Sequence, residues 1–143
     1  MLEASRRVHF TRLLIAILLF TITVRAQALP PQQPCHVFFT NDSYFLTSEA
    51  TTVLNDLLQD FRKARKGVIS IVGYADRTGS ASYNLKLSKN RARTVGKFFR
   101  NSLGLQYHKF EISWKGESSL PYPTEDGVPE PYNRCVNVAL NST

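Results

Sequence analysis

Histidine, cysteine and tryptophan are all scarce in this chain of 143 residues, at three, two and one copies. Beyond residue 30 the only histidines are His36 and His108. Neither stands in a metal-ligand spacing or beside a nucleophile motif, so both read as ordinary strand-end residues and no metal is expected. Cys135 has no general base near it in sequence and makes a poor nucleophile. An enzyme is therefore not expected, nor any cofactor. Long hydrophobic runs are missing too. The longest, Leu13 to Val24, has 12 residues, where a membrane-spanning helix needs roughly 20. No internal repeat or coiled coil is present, and the length suits one ordinary domain.

What is present begins with the amino terminus. Arg6, Arg7 and Arg12 precede the apolar run, and Ala26-Gln27-Ala28 follows it. A basic head, a short apolar stretch and an A-x-A close make a secretory signal peptide. The expectation is cleavage after Ala28, with no transmembrane span in the mature chain. An uncleaved signal anchor in the inner membrane is the alternative, and Arg25 beside the cleavage site speaks for it. Residues 1–28 hold four arginines and one glutamate, so their removal takes the net charge from +7 to +4. That mild basic bias suits an anionic matrix and is not a nucleic-acid signature. Residues 29–35 are rich in proline and glutamine and read as a linker, leaving 36–143 as the domain.

Export would place Cys35 and Cys135 in an oxidising compartment, where a disulfide persists. The sequence leaves open whether their Cα atoms approach within about 7 Å. Gln32-Gln33-Pro34 is not the small and aliphatic set that lipid attachment at Cys35 requires.

Hydrophobic patterning places the elements. His36–Phe39 suits a buried strand. A helix capped by Thr47 or Ser48 follows, with Ala50, Val53, Leu54, Leu57, Leu58, Phe61 and Ala64 on one face. Its end gathers Arg62, Lys63, Arg65 and Lys66, and Gly67 closes it. Val68–Tyr74 is β-branched and reads as a central strand. After a polar turn, Asp76–Ser80, a second helix runs from about Ala81 to Ser102 and ends at Gly104. Phe110–Trp114 and Cys135–Leu140 alternate as strands. Between them, Ser118–Asn133 carries four prolines and reads as a loop. The order β-α-β-α-β-β implies an α/β (α+β) sandwich: a mixed sheet, parallel at its core, with two main helices packed on it.

The second helix carries an anomaly. With Tyr83 at zero and about 100° per residue, Tyr83, Leu87, Phe98, Val95 and Phe99 form the inward face. Lys86, Lys89, Arg93, Lys97 and Arg100 lie opposite. Arg91 (about 80°) and Asn84 (about 100°) nevertheless fall in the middle of the apolar stripe. A guanidinium placed there needs a partner. An acid of the same chain would make a structural ion pair. A ligand carboxylate would take two parallel hydrogen bonds. Asp76, in the turn at the mouth of this helix, closes an Asx turn on the bland reading. Two other readings stand beside it: Asp76 as Arg91's ion-pair partner, or both facing a shared ligand that carries an ammonium and a carboxylate on one carbon.

Ala75–Ala92 reads ADRTGSASYNLKLSKNRA. It resembles the signature of OmpA-like C-terminal domains, TD-x-x-G-x-x-x-YN-x-x-LS-x-x-RA, at Asp76, Gly79, Tyr83, Asn84, Leu87, Ser88, Arg91 and Ala92. Val37–Thr47 is similar to the family's opening strand and turn. Lys115-Gly116-Glu117 with Pro121 resembles its G-x-x-P region, and Asn133–Val136 its closing NRRV. The resemblance covers about residues 36–140. It implies non-covalent binding of the peptidoglycan stem peptide at its diaminopimelate residue, as an envelope protein of a Gram-negative bacterium. Asp76 matches the acid that accepts the ammonium, and Arg91 the arginine that clamps the carboxylate. Thr78, Asn84, Arg134 and Asp42 match positions that line the pocket. Three departures stand out. Ala75 replaces a threonine and Cys135 an arginine. Pro129 and Pro131 fall where relatives carry a short helix, which proline disrupts, so this loop is expected to differ.

The expected partner is thus peptidoglycan, and the expected site is the exported face of the envelope: the periplasm, wall-associated, at or near the outer membrane. An RNA-binding β-α-β module is disfavoured by the export signal and the lack of an aromatic strand motif. The alternative is an OmpA-like fold used for protein–protein interaction without wall binding.

Overall fold

The computed structural model of the protein describes residues 35–64, 66–103 and 108–141. The expected signal peptide, residues 29–34 of the expected linker, Arg65 and the helix stop expected at Gly104 lie outside them. Strand β1 is Val37–Phe38, helix α1 Ser48–Ala64, β2 Gly67–Tyr74, α2 Ala81–Leu103, β3 His108–Gly116 and β4 Cys135–Asn141. The sheet order is β1-β4-β2-β3. Parallel pairing is confined to β2 and β3, because α2 returns the chain to the start of the next strand. Strand β4 runs antiparallel to both β1 and β2, so the sheet is mixed.

Local chemistry sets the helix starts. The Thr47 hydroxyl accepts the Ala50 N–H at 3.1 Å, which makes Thr47 the cap of α1. Ser80 plays the same part for α2, accepting from Tyr83 N at 3.3 Å. Leu54, Leu58 and Phe61 of α1 and Ala92, Val95 and Phe99 of α2 close over Ile69, Ile71, Val136 and Val138 of the sheet. Phe61 and Phe99 meet with ring centroids 5.3 Å apart. On edge strand β3, Phe110, Ile112 and Trp114 are half-buried and alternate with exposed Lys109, Glu111 and Ser113. Strand β4 departs from the expected alternation: Cys135 and Asn137 are buried along with Val136 and Val138. A disulfide to Cys35, with Cα atoms 5.9 Å apart, closes off Cys135.

Helix α2 lies directly on β2. A Cβ at Gly73 would stand 2.2 Å from the Ser88 carbonyl oxygen and 3.0 Å from Ala92 Cβ. The small residues at all three positions bring the helix backbone down onto the strand, and this fixes where the first turns of α2 stand above the end of β2.

The prolines of the long loop do not abolish its helical turn. Pro131–Asn133 forms a 3-10 turn capped by the Glu130 side chain, which accepts from Tyr132 N at 3.0 Å. This corrects the expectation of a loop without one. Proline in the first turn forfeits no hydrogen bond, since that N–H has no intrahelical acceptor.

Candidate functional site

The C-terminal end of β2, the first turns of α2 and the turn after β1 converge on a cavity of about 370 Å³. Asn41, Asp42, Asp76, Thr78, Gly79, Tyr83, Asn84, Leu87 and Arg91 line it. Five of the six ligand positions named from the sequence therefore share one cavity. The sixth, Arg134, reaches it through Asp76.

Arg91 is the largest fully buried side chain of the described residues, 1% exposed. Its guanidinium donates to three backbone carbonyls: Nε to Ser43 at 2.8 Å, Nη1 to Tyr74 at 3.1 Å and Nη2 to Thr40 at 3.2 Å. These tie the turn after β1 and the end of β2 to α2. Among the described residues no carboxylate lies within ion-pair distance of it. Asp76 and Arg91 are thus not each other's partner. A guanidinium has five N–H donors, so three bonds leave one N–H on each terminal nitrogen. Burial lowers the Arg91 pKa from the ordinary guanidinium value to about 10, partly opposed by the charge of Asp76. It remains a cation at neutral pH.

Asp76 is 4% exposed. Its Oδ1 accepts the Thr78 hydroxyl at 2.7 Å, with the Thr78 N–H at 3.4 Å, and its Oδ2 accepts Arg134 Nε at 2.8 Å. Burial alone would raise its pKa. The hydrogen bonds from Thr78 and Arg134, with the Arg134 charge, outweigh it and hold the carboxyl below its ordinary 3.8. A depressed folded-state pKa contributes stability that is complete above the unfolded value and is lost as pH falls through the folded value. Asp76→Asn is therefore expected to flatten the acid limb of stability below about pH 4, as read by urea unfolding from pH 2 to 7. An unchanged acid limb would mean that the Thr78 and Arg134 bonds do not stabilise the ionised carboxylate.

The other positions divide by what they have left to offer. Asn84 is 1% exposed, and its amide donates to Thr78 O at 3.0 Å and to the Glu117 carboxylate at 2.7 Å, so both N–H groups are committed. Ser88, fully buried, is structural: its hydroxyl accepts from Gly116 N and donates to Leu85 O, each at 2.9 Å. Gly79 has φ 92°, which explains a glycine in the turn leading to α2. Asp42 also has a positive φ, 52°, a conformation that aspartate tolerates. It accepts the Tyr83 hydroxyl. That bond corrects the placement of Tyr83 on the inward face: the residue is 47% exposed and its hydroxyl meets Asp42 at the cavity instead of entering the core. Sequence reasoning missed Asn41 as a lining residue and Glu117 as Asn84's acceptor, since only the folded loops bring them there.

A larger cavity, about 440 Å³, lies beyond Asn84, lined by Arg77, Glu117, Ser119, Leu120, Pro123, Thr124 and Glu125. Its one cation, Arg77, is already paired with Asp126 at 2.8 Å.

A mixed four-stranded sheet with two helices on it, and an acid and an arginine at the mouth of the second helix, define an OmpA-like domain. Residues 38–134 match the OmpA family, and the chain belongs to that family. It is 36% identical over 86 residues to outer membrane protein 41 of Porphyromonas gingivalis, covering 60% of this chain and 22% of that one. It is 35% identical over 100 residues to outer membrane protein 40 of the same organism, covering 64% and 26%. The chain thus spans about a quarter of the length of these curated relatives. The peptidoglycan-associated lipoprotein from Burkholderia pseudomallei superposes with a TM-score of 0.64 at 22% identity, covering 81% of this chain and 98% of that one. The C-terminal domain of Helicobacter pylori MotB does so at 0.61 and 17% identity, covering 76% and 84%. At these identities the likeness concerns the fold.

Proposed function

We propose that the chain binds peptidoglycan without covalent chemistry, gripping the zwitterionic end of a diaminopimelate residue between Asp76 and Arg91. One observation carries the reading. A buried guanidinium with no carboxylate partner among the described residues lines the same cavity as a buried carboxylate, and each has bonding capacity left. Two free N–H groups on Arg91 match a carboxylate, and the remaining lone pair on Asp76 Oδ2 matches an ammonium. The names of the relatives, outer membrane proteins and a peptidoglycan-associated lipoprotein, support an envelope setting. The reading has the chain exported, cleaved after Ala28, and retained at the wall on its periplasmic face. No described helix is long and apolar enough to cross a membrane.

Thr78 and Arg134 hold the Asp76 carboxylate in place, and Asp42 with Tyr83 forms the rim. The activity proposed is binding. A single stem peptide held by one charge-assisted pair has an expected Kd between roughly micromolar and millimolar, about 4–8 kcal/mol. The many stems of one sacculus add avidity. The protein is expected to pellet with diaminopimelate-containing sacculi, and Asp76→Ala to leave it in the supernatant. Equal pelleting of the two proteins would reject the site.

A second reading, a protein–protein module, has one observation in its favour. Phe38, Tyr132 and Tyr122 are exposed and packed in series, with centroids 5.9 and 5.2 Å apart, and none of them lines the cavity of Asp76 and Arg91.

A further inference from the structure

Helix α2 contains no acidic residue in its 23 positions. Of its outward cations, Lys89 lies over the Trp114 ring at 4.7 Å and Arg100 over Phe110 at 5.6 Å. Arg93 and Lys97 have neither a carboxylate nor a hydrogen-bond acceptor among the described residues. One helical turn apart, they line a separate cavity of about 250 Å³ with Tyr44, Asn90 and Thr94. Its wall is built rather than incidental. The Arg91 Nε bond to Ser43 O fixes the residue before Tyr44, and the Tyr44 ring stacks on Phe45 with centroids 4.8 Å apart.

This cavity adjoins the first. Asp42 lines one and Tyr44 the other, two residues apart in the chain, a separation of at most about 7 Å. On α2, Arg91 lines one and its neighbours Asn90 and Arg93 the other. Two cations, an amide and two hydroxyls make a host for an anion. The larger cavity beyond Asn84 is a poor one, since it carries Glu117 and Glu125 and its only cation is paired.

We propose that the Tyr44–Asn90–Arg93–Thr94–Lys97 cavity is a second subsite, which takes the free carboxylate of the residue preceding diaminopimelate in the same stem peptide. This rests on the reading of the first cavity given above. The two cations then discriminate a stem whose neighbouring carboxylate is free from one in which it is amidated, a difference of one charge with little change of shape. The outward face of α2 becomes part of the ligand footprint rather than a solvated surface.

Two peptides test this: alanyl-γ-glutamyl-diaminopimelate with the glutamyl carboxylate free, and the same peptide with that carboxylate amidated. Each is titrated calorimetrically into the full chain, into Arg93→Gln/Lys97→Gln and into Asp76→Ala. The wild-type chain is expected to bind the free form about tenfold more tightly, as one charge-assisted contact warrants. The double variant is expected to bind both forms alike, at the wild-type affinity for the amidated one. A preference retained in the double variant, or absent from the wild type, overturns the second subsite while leaving the first intact. Pelleting on phosphatidylglycerol vesicles that is lost in the double variant, with no peptide preference to lose, assigns the cations to a lipid surface and also overturns it. Undiminished binding of both peptides by Asp76→Ala marks a failure of the first cavity's reading, and the second falls with it.

Discussion

Reduction of the Cys35–Cys135 bond is expected to lower the free energy of unfolding by about 4–5 kcal/mol, the entropy of a closed loop of about 100 residues. The bond spans a sequence separation of 100 and joins the chain just before β1 to the start of β4. These two strands pair over only two positions, Val37 with Val136 and Phe38 with Cys135. So short a ladder at a sheet edge has little hold of its own, and the covalent link keeps β1 on the sheet. Small domains have about 5–15 kcal/mol in total, so this is a large share. Thermal unfolding with and without reductant reads it directly. Cys35→Ala/Cys135→Ala is expected to reproduce the loss and to be insensitive to reductant. A transition that reductant leaves in place would show that β1 is held by its packing instead. The effect extends to the site, because Cys135 adjoins Arg134, whose Nε holds Asp76.

Replacement of Arg91 by alanine is expected to cost about as much, roughly 3–5 kcal/mol, for a different reason. Among the described residues this side chain is the only donor to the carbonyls of Thr40 and Ser43, and it also meets that of Tyr74. Truncation strands these oxygens and opens a void under Phe39, whose ring lies 5.4 Å from the guanidinium carbon. Lysine restores the charge but not the fork, and one ammonium cannot meet three carbonyls in three directions and still present a pair of donors to a ligand. Arg91→Lys is therefore expected to recover part of the stability and none of the binding. Urea unfolding of the two variants reads the first, and sacculus pelleting of the lysine variant the second. Alanine within 1 kcal/mol of wild type would contradict the part given to the three carbonyls.

Arg91 thus serves the fold and the site together, which shaped what could be read from the sequence. Its inward position follows from helix phase alone, as does that of Asn84, since an α2 of this length cannot bury its apolar stripe without burying them. The element order and the family signature were legible for a similar reason: they are local patterns. What was not legible is long-range. Arg134 reaches Asp76 across 58 residues, and the prolines and Cys135 beside it gave no sign that its guanidinium would become the carboxylate's partner. The choice between an Asp76–Arg91 ion pair and a shared ligand was likewise open, because both residues face inward in either case. Tyr83 shares the phase of the core residues, and phase alone does not show that its hydroxyl meets Asp42, 41 residues away in the chain. Pro131 was misjudged because proline is harmful within a helix but not at its start.

Because substitution of Arg91 is expected to cost stability as well as binding, Asp76 is the cleaner probe of the central claim. The decisive measurement is a titration of diaminopimelate into the wild-type chain and Asp76→Asn, followed at the backbone amides of residues 76–91, with the two proteins matched for unfolding midpoint. The wild-type amides are expected to shift and saturate at micromolar to millimolar ligand, and those of Asp76→Asn to stay where they are. Shifts of equal size and midpoint in both proteins would show that the Asp76 carboxylate does not hold the ammonium, and that the cavity binds something else.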